Sequence, residues 1–410
     1  MPEHFAFRAP MTDFDVAVIG TGPAGATAAR ASAAAGASTV LIDRAEVPRY
    51  KCCGGGLIGL SRAALVADVR PLIRESAHRI TFTTNFTQRF TKSSHTGPVF
   101  ELVMRSEFDA SLVELAVARG AQLRCGVALR SIDEQAGVVT LHTTAGPITA
   151  RVVVGADGTA GRTSGYVGVR AAQVDLGLEG EFAVPAAMAD YWTGRVHIDW
   201  GPVPGAYAWV FPKGELLTVG VIGPRSQGEA LRRYYDDFLA YVGLAGTPPA
   251  RFSGHLTRCR DTDSPLVRGR VIVAGDAAGL LEPWTREGIS FALRSGLMAG
   301  EAAARAASAA DDFDARAHLA AYADRVVLEL GQEMDAGRLF LRAFTANRQA
   351  FHGFVVSIPG GWRLFTRLVG GQTTLAAQLD RRVVRWALAA LTATPPVRPR
   401  RPRRAAPPPQ

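Results

Sequence analysis

The chain has 410 residues, 48% hydrophobic and 20% charged, a mix that fits two or three soluble domains with an ample core. No run of 18 or more apolar residues occurs and the start lacks a signal-peptide pattern, so a bilayer-spanning or secreted chain is not expected and a cytoplasmic one is. The net charge of +9 overstates the body: Arg398, Arg400, Arg401, Arg403 and Arg404 lie in an acid-free, Pro-rich tail over 395–410, expected to be disordered, and only +4 remains elsewhere.

No nucleic-acid motif accompanies that tail, so it does not point to DNA or RNA. Cys52, Cys53, Cys125 and Cys259 are too few for a disulfide framework, and their spacing is not that of a metal site, so no metal is expected.

The chain opens with a buried strand over 14–20, an Ala-rich helix over 24–35 and a second buried strand over 39–43, which together make a β-α-β unit. Alternating, strand-like residues follow over 80–104, then a helix over 107–119. Strands are predicted at 121–125, 138–143 and 148–154, the last ending in Gly155-Ala156-Asp157-Gly158. Residues 171–254 carry several strands and one helix, 227–242. A short apolar strand over 269–274 leads into Gly275-Asp276, a helix covers 288–309, and mostly helical sequence continues to 391.

The expected fold is α/β: a Rossmann-like dinucleotide domain assembled from 14–75, 101–168 and 255–305. An antiparallel-sheet substrate domain from 76–100 and 169–254 is inserted in it, and a helical C-terminal region spans 306–394.

Gly20-Thr21-Gly22-Pro23-Ala24-Gly25 follows a strand and opens a helix, and Asp43 closes the next strand. In that context Gly20 permits the turn, Gly22 lets a pyrophosphate approach the helix N-terminus, and Gly25 allows close helix–strand packing. Asp43 accepts from ribose hydroxyls. The alternative is a glycine-rich turn in an ordinary β-α-β core. There is no second such fingerprint, hence no separate nicotinamide-nucleotide domain.

Gly275-Asp276 with Gly288-Ile289, and Asp157-Gly158, resemble the further flavin motifs of the p-hydroxybenzoate-hydroxylase-like flavoproteins, which implies FAD. Within that superfamily two segments resemble the geranylgeranyl reductase family. Lys51-Cys52-Cys53-Gly54-Gly55-Gly56-Leu57 is similar to its K-x-C-G-G-G-L segment, and residues 204–212 match P-x-x-Y-x-W-x-F-P through Tyr207, Trp209, Phe211 and Pro212. The resemblance runs over about 14–300. It departs at Arg286, where a glycine usually precedes Glu-Gly-Ile.

What the resemblance implies is an FAD-dependent reductase that saturates carbon–carbon double bonds of a prenyl chain. FAD contacts would come from Ala24, Asp43, Cys53, Gly54, Gly56, Arg105, Val127, Asp276, Gly288 and Ile289. Electrons would come from NADPH or reduced ferredoxin, the latter an electron-donor protein. For Arg105 a surface ion pair is the alternative, and for Cys53 a small buried hydrophobe.

Tyr207, Trp209 and Phe211 fall at spacing two, so in a strand they share one face. That row is either the inner face of an ordinary sheet or, with Pro212, the wall of a slot for a prenyl-lipid or prenyl-diphosphate substrate. Tyr207 and Trp209 are candidates for stabilising positive charge at the alkene; Tyr207, Cys53 or water are candidates for the proton donor. Competing functions are an aromatic hydroxylase or halogenase of the same superfamily, or a non-catalytic prenyl-lipid carrier that keeps FAD. Residues 362–369 and 381–391 mix apolar and arginine positions. That pattern fits helices at a bilayer surface, giving peripheral membrane association together with the tail, and fits equally helices packed on their own protein.

Overall fold

A computed structural model describes residues 12–65, 69–94 and 97–393; the arginine-rich tail expected to be disordered lies outside them. The strands Phe14–Ile19 and Thr39–Ile42, mostly apolar and buried from Val16 to Ile19 and throughout Thr39–Ile42, lie side by side at the centre of a parallel sheet. Strands Val271–Val273 and Gly146–Gly155 flank them on one side and Gln122–Arg124 on the other, all parallel, with antiparallel additions at Val267–Arg268, Val138–Thr143 and Leu129–Gln135. The helix Pro23–Ala34 packs on this sheet and against the helix Ile289–Ser308. Their small side chains let the two backbones approach: a Cβ at position 300 would meet the Ala28 carbonyl oxygen at 2.4 Å.

A second sheet has seven strands in the order Arg251–Arg260, Ala171–Ala183, Leu216–Pro224, Tyr207–Lys213, Arg195–Trp200, Arg79–Thr84 and Thr87–Ser93. All its pairings are antiparallel except that between Arg195–Trp200 and Arg79–Thr84. One face, carrying Ala208, Val210, Val219 and Val221, is covered by the amphipathic helix Gly228–Tyr241 through Leu231, Tyr234 and Phe238. The other face, carrying Tyr207, Trp209 and Phe211, looks toward the first sheet. A small sheet of Gly56–Leu57, Phe100–Val103 and Ile73–Ala77 bridges the two.

The C-terminal region is helical, as expected, and its helices Gln332–Ala346, Arg348–Ser357 and Pro359–Val369 pack on Phe82, Phe100 and Trp200 of the second and small sheets. Among the described residues no helix is long and apolar enough to cross a membrane.

Candidate functional site

A cavity of about 1000 Å³ starts at the carboxyl ends of the parallel strands and runs across the inner face of the second sheet. That volume is at the top of the usual range for ligand pockets, about 300–1,000 Å³. The strand ends deliver Gly20, Asp43, Val127, Ala156 and Asp276 to it, the position at which open α/β sheets bind ligands. Gly20 turns the chain at φ +104°. Gly25 sits so close behind it that a Cβ there would overlap the Gly20 carbonyl oxygen, so Gly25 packs the helix and does not face the cavity. Gly22 is different: a Cβ there would find only the Arg49 guanidinium, at 3.5 Å, and no side chain caps the helix it precedes. The free amides of that helix end and Ala24 therefore border open space.

Asp43 is buried, which opposes its charge. Hydrogen bonds from the Thr21 hydroxyl and amide and from the Ala45 amide outweigh burial and hold its carboxyl below the usual range. Arg105 also reaches the cavity, with its guanidinium forked on Asp109 at 2.9 and 3.0 Å; the pair is buried, not superficial. The Val127 amide donates to the Asp43 carbonyl at 2.8 Å, which leaves only its carbonyl for a ligand. Gly288 and Ile289 line the cavity at the start of the helix Ile289–Ser308, near Asp276. Asp157 turns back to cap the helix Arg162–Val167 through the Arg162 and Thr163 amides.

The Cys53-Gly54-Gly55-Gly56 segment crosses the middle of the cavity. Gly54 lies against the aromatic row, where a Cβ would come within 2.9 Å of the Phe211 ring, so no larger residue fits. Tyr207, Trp209 and Phe211 share the cavity face as their spacing requires, with ring centroids 5.9 and 6.1 Å apart. Pro212 departs from expectation. One residue out of phase with the row, it points with Ala208 and Val210 to the opposite side and does not line the cavity. The Tyr207 hydroxyl donates to the Thr285 carbonyl, and the Arg286 guanidinium lies 5.7 Å from the centre of its ring.

Beyond the row the cavity becomes an apolar arm walled by Phe82, Phe100, Trp200, Trp284, Phe344 and Phe365. Three of these, Trp284, Phe344 and Phe365, belong to none of the motifs read from the sequence. Toward the other edge of the second sheet the wall is polar. Lys51 Nζ lies 2.7 Å from His255 Nε2. Burial and the Lys51 charge bring the imidazole down to about 4, so it accepts from the ammonium. Glu179, buried at 2% exposure, accepts from the Cys53 amide at 2.9 Å. Sequence reasoning passed over Glu179 and His255. Asp175, Glu179 and Glu181 alternate with Leu176 and Leu178, a pattern that reads as a solvated strand face, and only the apposition of the second sheet to the first turns that face inward.

Comparison with known proteins agrees with this geometry. Residues 13–199 match the FAD binding domain family. Digeranylgeranylglycerophospholipid reductase 1 of Methanopyrus kandleri is 30% identical over 347 residues, covering 80% of this chain and 89% of the relative. Menaquinone reductase of Mycolicibacterium smegmatis is 29% identical over 317 residues, 71% of this chain and 76% of that protein. The crystal structure of a geranylgeranyl bacteriochlorophyll reductase-like protein from Thermoplasma acidophilum superposes with a TM-score of 0.76 at 22% identity, covering 92% of this chain and 99% of that one. Flavin-dependent brominase and halogenase structures share the fold at 17–21% identity.

Fold and strand-end cavity together define an FAD-dependent oxidoreductase. Within that class, the chain belongs to the geranylgeranyl reductase family.

Proposed function

We propose that this protein saturates carbon–carbon double bonds of a prenyl chain, using reduced FAD. One observation carries the reading: the strand-end cleft and the aromatic-walled arm are a single cavity, joined at Cys53 and Gly54. A long hydrocarbon entering the arm would bring an alkene to the edge of the cleft. The reductase names of the relatives favour this over hydroxylation or halogenation.

The donors and acceptors at the cleft fit FAD. The helix N-terminus after Gly22 would hold the pyrophosphate, Asp43 the adenosine ribose and Asp276 the ribityl chain. Cys53, Gly54, Gly56, Gly288 and Ile289 would lie against the ring system, the Val127 carbonyl would contact the cofactor near Asp43 at the adenosine end, and Arg105 would reach the cofactor from its pair with Asp109. Bound FAD supplies two-electron hydride chemistry, fed by NADPH or a reduced ferredoxin. The chain does the rest: the arm excludes water, and the aromatic row orients the alkene. Positive charge developing at the more substituted carbon falls to Trp209, because the Tyr207 ring already faces the Arg286 cation. Pro212, facing away, supports the strand only.

Anaerobic incubation of the reduced holoenzyme with a panel of prenyl diphosphates, ether lipids, prenylquinones and prenyl esters tests this. Mass spectrometry is expected to show two added hydrogens per saturated bond for at least one class, and no change across the panel would reject the reading. Trp209→Ala is expected to retain the flavin absorbance and lose about ten- to a hundredfold in turnover, the equivalent of one large apolar contact of about 1.5–3 kcal/mol.

A further inference from the structure

Resting on the double-bond reading, we propose that Glu179 is the residue that hands the proton to the alkene, and that Tyr50 and Ser253 return one to it from the edge of the sheet. Strand register sets its position. Glu179 pairs with Ser253 on one side and Gly220 on the other, and Gly220 pairs with Trp209. Gly220 has no side chain, and the Trp209 ring leans over it, so Glu179 and Trp209 are neighbours where the polar wall of the cavity meets the apolar arm.

The hydrogen bonding of Glu179 is incomplete in an informative way. Oε1 accepts from the Cys53 amide at 2.9 Å and from the Tyr50 hydroxyl at 3.4 Å. Oε2 is buried with no partner, although the residue lines the cavity. An unpaired buried carboxylate oxygen costs on the order of 1–3 kcal/mol or more unless a ligand or a proton satisfies it. Tyr50 continues outward to Ser253 Oγ at 3.0 Å, on the edge strand Arg251–Arg260.

Burial is the dominant influence on this carboxyl and raises its pKa. The Lys213 charge and the Cys53 and Tyr50 hydrogen bonds oppose that, and Glu181 reinforces it. A raised pKa is the direction a proton donor needs. Cys53, Tyr207, Glu287 and Asp43 also line the cavity, and each has a polar partner; the Cys53 sulfur accepts from the Gly55 amide at 3.4 Å. The Tyr207 hydroxyl is bound to the Thr285 carbonyl, and burial raises its pKa further. Both oxygens of Glu287 accept from Ser61 or Ser290, and those of Asp43 from Thr21 and Ala45.

In the step itself, one alkene carbon receives the hydride that reduced FAD supplies, and the other bonds to the Glu179 proton. The O–H bond breaks with its electron pair left on the carboxylate, the C=C π pair forms the new C–H bond, and the cofactor is oxidised by two electrons. A proton from solvent, relayed by the partly exposed Ser253 hydroxyl and then by Tyr50, restores the acid and leaves both hydroxyls neutral.

Glu179→Gln keeps the acceptor for Cys53 and removes the acid. Two measurements are made on it and on the wild type. In single turnover of the prereduced holoenzyme, the variant is expected to hold FAD and lose about 10²–10⁴-fold, the usual reach of general acid catalysis. Wild-type turnover should fall as pH rises through the Glu179 ionisation, while the variant's residual rate lacks that limb. The titratable groups facing Glu179 are Lys213, Glu181, Tyr50, Cys52, Cys53 and Tyr235. Independently of turnover, infrared spectra of the flavin-loaded wild type at neutral pH should show a protonated carboxyl band that shifts in D₂O and is missing from the variant.

Wild-type turnover and pH profile in Glu179→Gln, or absence of the band, overturns the assignment while leaving double-bond reduction standing. A wild type that saturates no prenyl substrate removes both. Should the variant not fold, Glu179→Asp, which keeps an acid, is expected to retain the pH limb at a reduced rate; loss of that limb would count against the assignment.

Discussion

Arg286 shows how one substitution relative to a family pattern is absorbed. Its backbone sits at φ +58°, a conformation that suits glycine and costs an ordinary residue about 1–2 kcal/mol. The side chain offsets this through bonds to the Asp175 carboxylate at 3.1 Å, the Trp284 carbonyl at 2.7 Å and the Gly205 carbonyl at 2.9 Å, and both members of the ion pair are buried. The arginine thus ties the loop before Glu287 to the turn before Tyr207. Removing one partner of a buried pair strands the other's charge, at about 3–5 kcal/mol. Asp175→Ala is expected to lower the urea midpoint of the holoprotein accordingly, and Asp175→Ala with Arg286→Gly to recover most of the loss, since the backbone is relaxed and no charge is stranded. Additive losses in the double variant would show that the pair is not the link between loop and turn.

At the level of elements, the helix Pro359–Val369 is part of the cavity wall. Phe365 packs edge-on against Phe82 with ring centroids 5.3 Å apart, Val369 lines the same arm, and Arg363 and Arg367 remain exposed. Phe365→Ala is expected to lower stability by about 3–5 kcal/mol, measured by denaturant titration, because a ring is removed from a packed site. It should also weaken discrimination between long and short prenyl substrates, read as a convergence of their kcat/KM values; an unchanged ratio would place the chain elsewhere. This helix also marks a limit of sequence reading. An apolar stripe with arginines opposite it looks the same whether the stripe meets a bilayer or the protein's own sheet, and the choice is made by tertiary contacts tens to hundreds of residues away. The glycine turn, Asp43 and the Tyr207–Phe211 row were legible because turn geometry and period-two alternation are local. Glu179, His255, Trp284 and Phe344 were not, because only the pairing and apposition of separate elements turns them toward the cavity.

Across the whole molecule, the described surface is uneven at its C-terminal end. The helix Arg382–Ala393 buries Leu388 but leaves Val383 and Trp386 at 62% and 74% exposure, with Arg381, Arg382 and Arg385 exposed around them. Ile358, at the start of the helix that walls the apolar arm, is also half exposed. Large apolar side chains ringed by cations match the two attractions of an anionic bilayer: apolar insertion, and about 1 kcal/mol for each arginine near the surface. On the proposed reading, the same bilayer would hold the prenyl lipid whose chain the apolar arm is proposed to take. The full-length protein is expected to sediment with vesicles containing phosphatidylserine and much less with neutral ones, and the difference should shrink as salt rises, since charges beyond about 8 Å are screened at physiological ionic strength. Trp386→Ala with Val383→Asp should release the protein from anionic vesicles while leaving turnover of a detergent-dispersed substrate unchanged. Binding that survives both that variant and high salt would mean that another surface meets the membrane.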